Sequence, residues 1–376
     1  MFNSALSWMA AKLSPLRHNT GVYPLGYSPG LDGLRGVIML GVMAGHLRET
    51  WVTGVSVLMD GFFMLSAYLI TALLVRDWQR DGRMDWWRFY LRRVLRLFPA
   101  FYTMLLVFVL AAVFVYDNPM GHLREALTAG LYVSNWSRAA SVPTPGYLGH
   151  TWSLSIEEQF YIVWPLLLGL LLRVAGLRRR AVLCLVFAAL IASTWRWWLT
   201  VQGATISRVY NGTDTRADAL LMGCALGLAL SLPGVRSNLK LQAWIAKSGT
   251  PAALILLFAA LRLDWQDRQL YMYWSFLLLP VTLTLMSALI LPVRTVVRQL
   301  LEAAPLVLIG RISYGLYLWH WPIFCTLREG WGFGFRGVLL AGVPLTFAVA
   351  VVSYLLIERP FLARKDRMRQ SQIEAK

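Results

Sequence analysis

Apolar stretches of about twenty residues recur from residue 34 to residue 357 with only short connections, and this pattern limits the fold more than any other feature. Each stretch is long enough for an α-helix to cross the hydrocarbon core of a bilayer, where a backbone must satisfy its own hydrogen bonds. With a window of about twenty residues, spans fall near 34–52, 55–75, 98–116, 153–174, 180–200, 217–232, 247–263, 272–291, 304–327 and 335–357. The expectation is an all-α polytopic membrane protein, a bundle of about ten transmembrane helices. A helical pattern near 122–135 is too short to cross and is expected to be interfacial or re-entrant. The chain then divides into a cytoplasmic segment at 1–30, a membrane domain at 31–358 and a basic cytoplasmic tail at 359–376.

Composition agrees, because 57% hydrophobic against 15% charged residues is outside the range of ordinary soluble domains. The net charge of +17 does not form one patch for nucleic acid. It is split into short runs at 92–96, 177–180 and 359–369, between apolar stretches, as the positive-inside rule requires, and no RRM, KH or zinc-finger signature is present. Both termini are therefore expected on the cytoplasmic side. The first twenty residues lack the apolar core and cleavage site of a signal peptide, and are expected to stay cytoplasmic as a short amphipathic surface helix. Trp51, Trp86, Trp87, Trp195, Trp197, Trp198 and Trp265 fall at span ends, where indoles anchor to the interface. Cys184, Cys224 and Cys325 fit neither a disulfide framework nor a metal site and are expected to be buried packing residues. The second half does not repeat the first, which weighs against many secondary-transporter folds.

Within the first span, Arg35 and His46 lie eleven residues apart, ~16.5 Å along a helix and within ~20° of the same face. One face thus presents a guanidinium near the cytoplasmic surface and an imidazole near the midplane. Ionisable groups at such depth are costly and point to function, although a polar pair can also serve as glue between helices. Gly41 and Gly45 form a GxxxG pair beside His46, which calls for close packing of a neighbouring helix.

Other candidates follow the same logic. Asp60 in the second span needs a counter-charge, either His46 or an arginine, and serves either to pair or to orient the imidazole. Arg93 and Arg96 share a helix face at the cytoplasmic start of the third span, a spacing that suits a phosphate clamp and also suits topology alone. Glu157 and Glu158 open the fourth span. They can act structurally on the helix dipole, with Ser155 as cap, or Glu157 can serve as base or orienter of His46. Asp214, Arg216 and Asp218 stand at the mouth of another span, and Tyr314, Tyr317, Trp319 and His320 cluster in the ninth.

Read in order, LDGLRG followed by His46, DGFFMLSAYLIT, Arg93-x-x-Arg96 with Pro99, TWSLSIEEQFY, TDTRADALLMG, SYGLYLWHWP and SYLLIERP resemble the acyltransferase-3 family of membrane-bound O-acyltransferases over nearly the whole chain. That resemblance implies a bacterial inner-membrane enzyme that acylates sugars and other hydroxyl acceptors of the envelope, lipopolysaccharide among them. It implies catalytic roles for Arg35 and His46, to which Glu157 and Asp60 are added here, and an acyl-CoA site at Arg93 and Arg96 with Arg92 beside them. Trp152, Ser153, Glu158, Tyr161, Asp214, Arg216, Tyr314 and His320 are the corresponding acceptor-side candidates. No bound cofactor or metal is expected; acetyl-CoA is a co-substrate. The chain departs from the family where Ala67 and Tyr68 replace the glycine and phenylalanine of LSGFLI, which bears on pocket size. Many relatives also carry a periplasmic SGNH domain, so transfer is expected either to be direct or to be finished by a separate periplasmic partner. Expected partners are acyl-CoA, a glycan or lipid-linked sugar and membrane lipids, with a second copy of the chain left open.

On these expectations the slender arm of the donor climbs from the arginines to His46, which either deprotonates the acceptor hydroxyl or is itself transiently acylated. The rival reading is a transporter or flippase whose buried Arg, Asp and His line a substrate path.

Overall fold

The computed structural model describes residues 28–363, and every regular element among them is helical. The amphipathic helix expected in the first twenty residues and most of the basic tail lie outside the described residues. In chain order the principal helices are α1 (Pro29–Leu47), α2 (Val55–Asp81), α3 (Trp86–Phe114), α4 (Pro119–Gly130), α5 (Thr151–Ala175), α6 (Arg179–Val201), α7 (Thr213–Ala229), α8 (Leu239–Arg262), α9 (Leu270–Ile290), α10 (Ala304–Arg311), α11 (Ser313–Cys325) and α12 (Phe335–Ala363).

Among the described residues, seven of these helices, α2, α3, α5, α6, α8, α9 and α12, are long and apolar enough to cross a membrane. The other three expected spans take different forms. α1 has 19 residues diluted by glycine, α7 has 17, and the ninth is interrupted at Ile312 into α10 and α11. The expected count of ten is thus met by seven helices on length and composition. The short pattern near 122–135 is α4, twelve residues that bury His122, Glu125, Ala126 and Ala129.

Local chemistry sets the boundaries. Ser28 is extended and Pro29 presets φ for a first turn, so α1 starts five residues earlier than its apolar run suggests. It ends where Arg48 turns extended. His46 is therefore the penultimate residue of its helix. Gly82, at φ 65°, terminates α2, and Asp85 caps α3 by accepting from the Arg88 amide at 3.0 Å. Asn118 followed by Pro119 opens α4 in the same way.

Large apolar side chains on α3, α5 and α6, such as Leu110, Phe114, Leu166, Leu170 and Phe187, face outward, as lipid-facing surfaces do. Inside, small residues let backbones touch. A Cβ on Gly33 would fall 1.7 Å from the Leu301 carbonyl oxygen and one on Gly36 2.4 Å from that of Leu306, so α1 meets α10 and the turn before it without side chains between them. The expected GxxxG contact is looser, with Gly41 against Leu58 and Gly45 against Val55. Of the three cysteines, Cys224 and Cys325 are buried. Cys184 is exposed on α6, contrary to expectation, because its helix turns that face outward.

Candidate active site

His46, at the end of α1, meets His320 of α11. Its Nδ1 lies 2.9 Å from His320 Nε2, with the two rings within 4° of parallel. His320 Nδ1 in turn lies 2.7 Å from the Tyr317 carbonyl and 3.1 Å from that of Leu316. Carbonyls only accept, so Nδ1 of His320 carries the proton, and in the neutral pair its Nε2 accepts from His46 Nδ1. That assignment leaves a lone pair on His46 Nε2. His320 is completely buried whereas His46 is only partly so. The indole of Trp321 packs on His46 at 4.4 Å and donates to the Gly146 carbonyl at 2.7 Å. Arg328 donates to the carbonyls of His46 and Leu47, satisfying the last turn of α1 with a cation.

Along α1, Arg35, Met39, Val42 and His46 fall at i, i+4, i+7 and i+11, on one face. Ile38, Met39 and Val42 line a narrow cavity with Met59, Phe62, Ser153, Ser313 and Tyr317. The cavity lies beside the stretch of α1 between Arg35 and His46, neither of which lines it. At the arginine end, Asp32 accepts from Arg35 at 3.1 Å and faces Arg311 at 3.9 Å. Arg96, exposed, lies within electrostatic reach of Arg35 and Arg93. The Arg93 guanidinium stacks 3.2 Å above the ring of Tyr161, which donates to Glu157 at 2.8 Å and shares a short hydrogen bond with Ser66.

Several candidates have other partners than expected. Glu157 bonds Tyr161 one turn along its own helix and does not orient His46; His320 occupies that position instead. Asp60 takes the arginine of its two options, accepting from Arg216 at 2.7 Å, while Arg216 also donates to Ser56 and to the Tyr210 carbonyl. Asp214 is held by Arg208 and Trp195. Asp218 is paired with fully buried Arg196 at 2.6 Å. Asp60 and Arg216 are thus paired with each other inside the fold, and Asp214 with Arg208 at a part-exposed position. His320 has both nitrogens engaged, and Tyr314 donates to the Leu97 carbonyl. Arg92 faces Asp77 at 3.6 Å. Trp152 is buried against Phe63 and Tyr210. Glu158 is buried near Arg93. Ser153 lines the cavity and bonds Tyr317 at 2.6 Å.

The residue that the sequence did not single out is His150. It sits just before α5 with 2% exposure, edge-on to His320 at 5.5 Å between ring centres, and neither ring nitrogen has a hydrogen-bond partner. The loop that carries it is pinned by α4, where Glu125 accepts from the Leu148 amide at 2.8 Å. Burial pushes the Glu125 carboxyl up to about 7 against the pull of that amide and of Arg138. Burial also lowers neighbouring His122, whose Nδ1 stands 3.9 Å from the second carboxyl oxygen. Among the described residues, no group of three or more His, Cys, Asp or Glu is placed to hold a metal ion.

A protein-family model described as an acyltransferase domain matches residues 28–357. The peptidoglycan O-acetyltransferase OatA of Listeria monocytogenes is 35% identical over 358 residues, which cover 90% of this chain and 56% of that protein. The O-acetyltransferase OatA of Staphylococcus aureus is 31% identical over 354 residues, covering 90% and 58%. The chain thus spans little more than half the length of these relatives. No solved structure matches it.

Proposed function

The chain belongs to the acyltransferase-3 family, and from that premise we propose that it is an inner-membrane O-acetyltransferase that moves acetyl from cytoplasmic acetyl-CoA to a hydroxyl of an envelope glycan. The observation that carries this reading is the free Nε2 of His46, on the helix face that it shares with Arg35. The name of the Listeria relative makes peptidoglycan the first acceptor to try.

Acetyl-CoA is a multiply charged cytoplasmic donor, so its phosphates stay with the guanidiniums of Arg93 and Arg96, and Arg35 stands at the entrance. Its pantetheine arm, on the order of 20 Å long, is comparable with the ~16.5 Å rise from Arg35 to His46. The thioester reaches the imidazole while the charged part of the donor remains inside. His46 Nε2 takes the acceptor hydroxyl proton as the oxygen attacks the thioester carbon. The carbon–sulfur bond then breaks, and the imidazolium returns that proton to the departing thiolate. His320 supports both stages by accepting from His46 Nδ1 throughout.

The test uses purified protein in lipid nanodiscs with labelled acetyl-CoA and a panel of envelope glycans led by peptidoglycan fragments. Transfer by wild type, lost by at least ~10³-fold in His46→Ala, supports the reading. Arg96→Gln should raise KM for acetyl-CoA by roughly 10–100-fold with little change in kcat. Movement of an unmodified glycan across the membrane, without acetyl transfer to any acceptor, would replace this reading with the transporter. Acetyl-histidine recovered after mixing with donor alone would replace the base with a nucleophile.

A further inference from the structure

One buried side chain beside the dyad has unused hydrogen-bonding capacity. His150 is held firmly: its carbonyl accepts from the Tyr317 hydroxyl at 2.7 Å and from Ser153 at 3.4 Å, and its ring packs edge-on against Tyr317 and His320. Both ring nitrogens are nevertheless buried and unpartnered. Buried polar atoms without partners are costly and rare, so a group fixed this way needs an explanation. The backbone group that acts on the ring is the Leu318 carbonyl, which falls short of hydrogen-bond geometry. Pro322, four residues further along α11, has no N–H with which to occupy that carbonyl. It therefore marks where the single N–H of a neutral His150 goes, and the lone pair of the other nitrogen remains.

Only a donor can use that lone pair. Of the nearby hydroxyl and indole donors, Tyr317 is committed to the His150 carbonyl, Ser153 to Tyr317 and Trp321 to Gly146, while the Arg138 guanidinium, whose Nε is buried without a partner, acts on the ring by its charge and makes no hydrogen bond to it. An incoming hydroxyl is the donor that the proposed reaction supplies. The loop just before His150 contains Gly146, at φ 89°, and Gly149, whose missing side chain leaves room for the Arg138 guanidinium and the Trp321 indole.

Building on the acyl-transfer reading, we propose that His150 is a specificity-determining residue, whose lone pair accepts from a second hydroxyl of a polyhydroxylated acceptor, beside the hydroxyl that His46 deprotonates. The dyad and His150 then read two hydroxyls of one sugar, and an acceptor with only one would bind poorly. Sites that bond a substrate hydroxyl reject analogues lacking it far more strongly than apolar pockets distinguish sizes.

The experiment compares wild type, His150→Leu and His150→Asn, in nanodiscs, with labelled acetyl-CoA and a peptidoglycan disaccharide or its monodeoxy analogues. Wild type should prefer the parent sugar over one analogue by at least tenfold. His150→Leu should raise the acceptor KM about 10–100-fold, abolish that preference and leave the KM for acetyl-CoA within twofold. His150→Asn, whose amide oxygen accepts, should recover most of both. A folded His150→Leu protein with unchanged acceptor KM and preference overturns the proposal. So does equal impairment of the Asn and Leu variants, and so does failure of both to elute as folded protein, which assigns the imidazole to structure. If wild type itself transfers no acetyl, the acyl-transfer reading fails. If wild type transfers and His150→Leu is indistinguishable from it, only this inference fails.

Discussion

Two buried polar clusters lie within the part of the bundle that holds the end of α1, and they differ in how completely they are paired. In the first, Asp60 faces Arg216 and Asp218 faces Arg196, each acid opposite a guanidinium and surrounded by hydroxyl and carbonyl partners. In the second, His46 and His320 share one proton chain with His150 packed edge-on beside them, and lone pairs remain on His46 and His150. The first cluster is internally neutral, each acid opposite a guanidinium although Arg196 Nε lacks a hydrogen-bond partner, which is how a membrane bundle tolerates charge. The second is incomplete, which is how a site keeps capacity for a reacting molecule. Sequence motifs of similar weight pointed to both, so pairing, more than motif or burial, separates scaffold from chemistry here.

The comparison breaks most visibly at His320. If it serves as the orienting partner of His46, His320→Leu should lower kcat by roughly 10³-fold with the protein still folded, because the proton on His46 loses its fixed position. Single-turnover assays and size-exclusion profiles of the same preparation check both halves. Full activity would move His320 into the scaffold class. Asp60→Asn should do the reverse, leaving Arg216 buried without its counter-charge at a cost of about 3–5 kcal/mol. Thermal unfolding in detergent should shift strongly downward while turnover per folded molecule stays near wild type, and Asp60→Leu combined with Arg216→Met should regain stability. A large kcat loss in folded Asp60→Asn would instead place Asp60 in the chemistry.

The smallest expected effect concerns Glu125, which falls between the two classes. Its carboxyl is raised in the folded protein to about 7 from an ordinary value of 4.5, so folding favours the protonated form. That favour is fully present below about pH 4.5 and is lost as pH rises through about 7, the window in which the folded protein holds a proton that the unfolded chain has released. Glu125→Gln should therefore match wild type at low pH and become the more stable protein by pH 8, by at most roughly 3 kcal/mol. A stability difference that is flat with pH would mean that Arg138 and the Leu148 amide hold Glu125 ionised throughout.

Much of this was legible in the sequence, because apolar length marks spans and helical periodicity marks faces. The common face of Arg35 and His46 followed from their spacing, and the need of Asp60 for a counter-charge, His46 or an arginine, followed from its depth. The position of His46 did not, although Ser28 and Pro29 were a readable helix start that an apolar window passes over. Pairing across 274 residues, as between His46 and His320, leaves no trace in local periodicity. His150 went unnoticed because a single histidine before a span looks like a cap. Its meaning depends on Pro322, which frees a carbonyl on another helix. The interruption at Ile312 was hidden because α10 and α11 together have the length and polarity of one span.

The glycine contacts of α1 have a mechanical consequence. Gly33 and Gly36 clamp the helix backbone to backbone near its first turns, and His46 stands ten residues beyond Gly36, ~15 Å away along a rigid rod. The rod is a lever with its fulcrum at the basic end. A tilt of about 4° there, of the kind one added methyl group would force, carries the imidazole by about 1 Å, and misplacements of that size cost on the order of 10²-fold in rate. The accuracy of the chemistry at one end of the bundle is therefore set by the absence of side chains at the other.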